Sequence, residues 1–144
     1  MICDIRIAAD HAKLGLPELN LSIIPGAGGT QRLARIIGKG RAFEMILTGE
    51  ILTAKRAEEV GLVSQAVPMK DLWSAVEEKA EKILTKGPFA MRLAKLVINH
   101  GFDANMDTAL MIEKLAQAIL FGSYDKNEGT QAFLEKREAY FKGK

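Results

Sequence analysis

Apolar and polar positions alternate at the start of the chain, with Ile5 and Ile7 set between Asp4 and Arg6. That period of two is the mark of a half-buried strand and predicts one over residues 3–8. Ala9-Asp10-His11-Ala12 reads as a turn, and 13–16 as a second short extended piece before Pro17. The spacing then lengthens. Leu33, Ile36 and Ile37 predict a helix from Gly29 or Thr30 to Gly38, with Arg32 and Arg35 facing outward. A second helix is expected over Lys39 to Thr48, turning Phe43, Met45 and Ile46 inward and stopping at Gly49. Thr53 suits the N-cap of a short helix carrying Ala54, Ala57 and Val60, ended by Gly61. Leu62 to Val67 alternates again and is rich in valine, so it predicts a strand that Pro68 closes.

From Asp71 onward the pattern is helical throughout. Leu72, Val76, Ala80, Ile83 and Leu84 form one stripe. Gly87-Pro88 breaks it and opens a helix that is expected to bury Leu93, Leu96 and Val97. Asp107 is expected to cap a third helix through Phe121, with Leu110, Leu115 and Ile119 in register. Asp125, followed three residues later by Glu128, reads as a capping box for a last helix containing Phe133 and Phe141. The chain is therefore α/β in class and mostly α, divided at about 68/69. Three short strands are fewer than a sheet of usual size needs, so they call for strands from elsewhere. A sequence that opens in mid-strand fits a piece of a longer polypeptide. No repeat, linker or low-complexity segment interrupts it.

Composition narrows the functional classes. At 144 residues, 48% hydrophobic and 26% charged, the chain can build a real core, and a net charge of +2 gives no reason to expect nucleic acid. The longest apolar runs fall far short of the roughly 20 residues a membrane helix requires, and the first residues lack the pattern of a signal peptide. A single cysteine, Cys3, excludes an internal disulfide framework and points to a reducing compartment, the cytoplasm. It reads as a small buried hydrophobe in a strand. His11 and His100 stand apart from any carboxylate or cysteine cluster, so no metal site is expected. Ser22, Ser64, Ser74 and Ser123 have no local base and no nucleophile elbow.

One run carries the candidate chemistry: Gly15-Leu-Pro-Glu-Leu-Asn-Leu-Ser-Ile-Ile-Pro-Gly-Ala-Gly-Gly-Thr-Gln-Arg-Leu33. It sets one carboxylate, Glu18, among Leu16, Leu19, Leu21, Ile23 and Ile24, surroundings that penalise the anion and should raise its pKa toward that of a useful proton donor. The turn Gly26-Ala-Gly-Gly29 can bring bare N–H groups close to a ligand oxygen. It lacks the third glycine of a dinucleotide fingerprint and the Lys-Ser or Lys-Thr of a phosphate loop.

The same run resembles the signature of the enoyl-CoA hydratase/isomerase family, the crotonases. Further resemblance lies in Thr48-Gly-Glu50, Ala57-Glu-Glu-Val-Gly-Leu-Val63 and Glu128-Gly-Thr-Gln-Ala-Phe-Leu-Glu-Lys-Arg137, so it spans essentially the whole chain. It implies a ββα spiral followed by a helical trimerisation region. Residues 1–68 would be the end of the spiral core, 69–144 the oligomerisation region, and the whole roughly the C-terminal half of a family member. It further implies an acyl-CoA thioester substrate, water added across its α,β double bond, no cofactor beyond the CoA of the substrate, and a homo-oligomer, a trimer or dimer of trimers. Carried over by residue, Glu18 matches the carboxylate that exchanges a proton at the α-carbon, and Gly26 the glycine whose N–H helps hold the catalytic water. Phe133 and Lys136 fall where the last helix approaches the nucleotide end of CoA. Leu16 replaces a glutamine common at its position. A first glutamate and the two oxyanion-hole donors match nothing in these 144 residues, so the chain alone is expected to be inactive. An isomerase or other crotonase, and a non-catalytic homologue that assembles through its helices, are the competing expectations.

Overall fold

In the computed structural model, which describes all 144 residues, the first strand is shorter and later than the alternation predicts: β1 covers Ile7–Ala9. The Arg6 guanidinium draws the preceding segment off the strand path, donating from Nη1 to the Cys3 carbonyl (2.7 Å) and from Nε to that of Leu62 (2.6 Å). Cys3 is consequently exposed rather than buried in a strand. β2 follows at Lys13–Gly15. Two helices come next, α1 (Gly29–Ile37) and α2 (Lys39–Thr48), then β3 (Ile51–Thr53), α3 (Ala54–Glu59) and β4 (Gln65–Val67).

β1 pairs in parallel with β4, Ile7 opposite Gln65 and Ala9 opposite Val67. A parallel pair needs a long crossover, and α1 to α3 lie within it. β2 pairs antiparallel with β3, Lys13 opposite Thr53 and Gly15 opposite Ile51. The approach at Gly15 is close, since a Cβ there would come within 3.0 Å of the Ile51 side chain. β3 escapes a local reading because three residues between a helix and a cap become a strand only through a distant partner. The expected strand at 62–67 begins only at Gln65. Leu62 and Val63 spend their N–H groups on the Ala57 carbonyl (2.8 and 3.2 Å), closing α3 instead.

Around these strands the apolar periodicity does what it predicts. Leu33 and Ile37 of α1, Ala42 and Met45 of α2, Leu52, Ala54, Ala57, Leu62 and Val63 form one core, with Leu33 fully buried. Thr53 caps α3, its Oγ1 accepting the Arg56 N–H at 3.2 Å. Phe43 departs from expectation: Ala42 and Met45 claim the inward face of α2, and Phe43, about 100° around the helix from Ala42, is left exposed. These elements belong to one unit, Met1–Lys79; the second is Ala80–Lys144, and the division falls inside α4 (Leu72–Leu84).

In the second unit α5 (Pro88–Gly101) packs on α6 (Met106–Phe121), which touches α7 (Tyr124–Glu135). Both expected acidic caps are displaced by two residues. Asn105 caps α6 by accepting the Thr108 N–H at 2.9 Å, and Ser123 caps α7 by accepting that of Lys126 at 3.1 Å. α7 ends at Glu135, so Phe141 lies outside it, its ring against Gly129 and Gly87. Asp125 instead binds the tail: its carboxylate, almost fully buried, accepts the N–H groups of Lys142 (2.6 Å) and Gly143 (2.8 Å). The stripes of these helices stay largely uncovered. Leu96, Leu110, Leu115 and Ile119 are exposed, Leu93 and Val97 half-buried, and only Ala116 and Ala132 among apolar side chains of this unit are buried. Periodicity marks an apolar face but not what covers it. No helix is long and apolar enough to cross a membrane.

Candidate active-site flank and ligand end

Pro17 leads into a single turn of 3-10 helix, Glu18–Leu21, whose last step is Ser22 in the left-handed region at φ 58°. The turn aims the half-buried Glu18 side chain into a cavity of about 160 Å³ that Leu16, Pro25, Ala27, Gly29 and Arg32 also line. Glu18 Oε2 is buried there without any hydrogen-bond partner. An unsatisfied buried carboxylate oxygen is costly, and such a group is a functional candidate because a ligand proton can satisfy it.

The enclosure differs from the expected one. Leu16 and Pro25 pack beside the carboxylate, but Leu21, Ile23 and Ile24 are exposed, since the 3-10 turn and the left-handed Ser22 swing them outward. Leu19 and Ile24 instead join Phe43, Ile46 and Leu47 along a separate groove of about 710 Å³ between α1 and α2.

The glycines after Pro25 divide their work. Gly28 sits at φ +79° as the N-cap of α1, a conformation that an L side chain adopts at a cost. Gly29 is forced by packing, because a Cβ there would lie 2.7 Å from Pro25 Cβ. Gly26 meets neither constraint: a Cβ there would find only the Ile24 carbonyl, at 3.9 Å. It is exposed, and its N–H makes no hydrogen bond within the chain. Arg32 is exposed, as expected, and its guanidinium curls back over Gly28, donating from Nη1 to the Ala27 carbonyl at 2.7 Å. It thus places a guanidinium in the cavity that holds Glu18.

Phe133 and Lys136 belong to the second unit. The Phe133 ring is 82% exposed near the end of α7. Lys136 follows the helix in the left-handed region, φ 54°. Its N–H donates to the Phe133 carbonyl (3.3 Å) and that of Arg137 to the Ala132 carbonyl (3.0 Å), the two bonds of a Schellman ending. Sequence reading passed over Arg137, whose guanidinium bonds Glu128 at 2.7 and 3.1 Å and Glu135 at 2.6 Å. These contacts hold the carboxyl of Glu128 down at about 2 and that of Glu135 below its ordinary value, and raise the guanidinium of Arg137 further.

A cavity of about 160 Å³ is too small for a drug-sized ligand, whose pockets run from roughly 300 Å³. It suits a water or the reacting end of a larger molecule. Chemically, the cavity offers one carboxylate, Glu18, and one guanidinium, Arg32.

The family model described as enoyl-CoA hydratase/isomerase matches residues 1–144. A crotonyl-CoA hydratase of Syntrophomonas wolfei is 45% identical over 141 residues, 98% of this chain and 54% of that protein. A short-chain-enoyl-CoA hydratase of Clostridium acetobutylicum is 42% identical over 138 residues, 96% of this chain and 53% of that protein. The crystal structure of an enoyl-CoA hydratase from Bacillus anthracis superposes with a TM-score of 0.96 at 51% identity, covering 99% of this chain and 55% of that one. The chain thus spans about half the length of these relatives.

Proposed function

The chain belongs to the enoyl-CoA hydratase/isomerase family, and from that premise we propose that it supplies one flank of an enoyl-CoA hydration site, with Glu18 as its proton-transferring group. The observation that carries this reading is the buried, unpartnered Glu18 Oε2 facing a small cavity. In the proposed reaction a water oxygen bonds to the β-carbon of a 2-enoyl-CoA thioester while the α-carbon receives a proton, giving the 3-hydroxyacyl-CoA. Glu18 exchanges the proton at the α-carbon. The free N–H of Gly26 helps hold the water. A second carboxylate and the N–H donors that polarise the thioester carbonyl come from the rest of the complete protein. Phe133 and Lys136 meet the nucleotide end of CoA, an ammonium facing phosphate. No cofactor is needed beyond the CoA of the substrate. The hydratase names of the two relatives favour addition of water over double-bond isomerisation.

The test is loss of enoyl absorbance from crotonyl-CoA in the complete protein. Glu18→Gln should lower kcat by about 10²–10⁴, the usual worth of a positioned acid or base, with the unfolding midpoint unchanged. Full activity in Glu18→Gln refutes the assignment. Conversion of a 3-enoyl to a 2-enoyl thioester without hydration would make it an isomerase. The 144 residues assayed by themselves should give no turnover, because losing even one oxyanion donor costs about 10²–10³.

A second reading, assembly through the helical region, is favoured by the exposed Leu115, Ile119 and Leu134. Uncovered apolar surface of this kind marks an interaction face. Homo-oligomerisation is the form proposed, and the solution mass of the protein tests it; a stable monomer would count against it.

A further inference from the structure

Lys136 stands where a helix ending of this type ordinarily has glycine. The position after Glu135 is left-handed, φ 54°, and closes the two hydrogen bonds of a Schellman motif. A residue with a Cβ is disfavoured there, and strain of this sort persists only when the surroundings over-determine it. Here they do. Arg137, the next residue, is tied by Nη1 and Nη2 to both oxygens of Glu128 (2.7 and 3.1 Å) and by Nε to Glu135 (2.6 Å). Glu128 also accepts the Tyr140 N–H at 2.8 Å, and Asp125 accepts those of Lys142 and Gly143. The segment after α7 is thereby folded back, and Lys136 is fixed at the bend.

Three neighbouring cations of this unit have partners. Arg137 lies between two carboxylates, Lys142 rests over the Tyr124 ring (4.4 Å) and Lys126 over the Phe121 ring (5.2 Å). Lys136 has none. The bend therefore holds an unpaired ammonium at a position where glycine would be easier.

We propose that the Glu128–Arg137 pair is a positioning device that locks Lys136 in the left-handed conformation, presenting its ammonium beside Phe133 to the phosphate-bearing nucleotide end of a CoA thioester. This rests on the reading of the preceding subsection. Glu128 and Arg137 act through Lys136 and do not touch the reacting atoms.

The experiment compares kcat/KM of the complete protein on crotonyl-CoA with that on crotonyl-N-acetylcysteamine, which has the thioester but no nucleotide. Arg137→Gln should lower the preference for the CoA thioester about tenfold, through KM, as expected for a lost charge-assisted contact. Lys136→Gly should lower it as much while raising the melting temperature by a few degrees, since glycine relieves the strain. The double variant should lose no more than the larger single loss. A preference unchanged in Lys136→Gly, a melting temperature that falls in that variant, or losses that add in the double variant would each overturn the proposal. Lys136→Gly carries the test even if Arg137→Gln does not fold. If the wild-type protein turns over neither thioester, the hydratase reading itself fails, and the proposal with it. Wild-type turnover with an unmoved preference removes the positioning role alone.

Discussion

Arg137 grips both carboxylate oxygens of Glu128, Nη1 to Oε1 at 2.7 Å and Nη2 to Oε2 at 3.1 Å, across nine residues of sequence. Two parallel charge-assisted bonds fix orientation as well as distance. With the Tyr140 N–H on the same carboxylate, they fold the segment beyond α7 against its own helix.

The pair sets an acid dependence. Hydrogen bonds from Arg137 and then Tyr140 hold the folded-state carboxyl of Glu128 at about 2, against an ordinary 4.5. Between those values the unfolded chain binds the proton and the folded one does not, so stability from this group rises with pH. It is complete above about pH 4.5 and is lost as pH falls toward 2. Denaturant midpoints measured across that window should slope upward with pH, and Glu128→Gln should flatten the slope. An equal slope in both proteins would refute this.

Gly29→Ala and Gly26→Ala should separate structure from function. The added methyl at 29 meets Pro25 at 2.7 Å and Leu16 at 3.0 Å, and overpacking of that kind costs about 1–3 kcal/mol. At 26 nothing lies closer than 3.9 Å, so its urea midpoint should be near wild type. Any loss of hydration in Gly26→Ala then reports on the ligand.

Leu33→Ala should destabilise the first unit by about 2–5 kcal/mol, the range for a buried leucine, since Leu33 is fully buried. Leu115→Ala, at an exposed position of α6, should change the unfolding free energy of dilute monomer by less than about 0.5 kcal/mol. If the helical face assembles, Leu115→Ala should instead weaken oligomer mass in sedimentation.

Ser123→Ala should cost about 1 kcal/mol, because it removes the oxygen that accepts the Lys126 N–H at the start of α7. Asp107→Asn, two residues past the observed cap Asn105, keeps that cap and should cost no more than about 0.5 kcal/mol. Urea melts of the two variants decide which residues are caps.

How far a residue could be read locally depended on where its partner lay. α2 runs over Lys39–Thr48 as predicted, and Thr53 caps α3, because stop glycine, cap and first turn are neighbours in sequence. Asp125 and Glu128 fit a capping box by spacing alone, yet both turn to N–H groups 12 to 18 residues away. Of the candidate site, the Glu18 turn and the glycine bend were legible. Arg32 was not, because its role depends on a side chain curling back over a left-handed glycine.

Local spacing and residue chemistry settled α1 to α5, the buried stripe through Leu33 and Ile37, the membership of a family and the presence of a lone carboxylate at 18. These rest on contacts within a turn or two, or on an uncommon string of residues. Folding in three dimensions settled the pairing of β3 with β2, the exposure of Phe43 and Leu115, the left-handed Lys136 and the buried, unpartnered oxygen of Glu18. Each of those turns on which distant group arrives, or fails to arrive, at a given face, and periodicity carries no information about that.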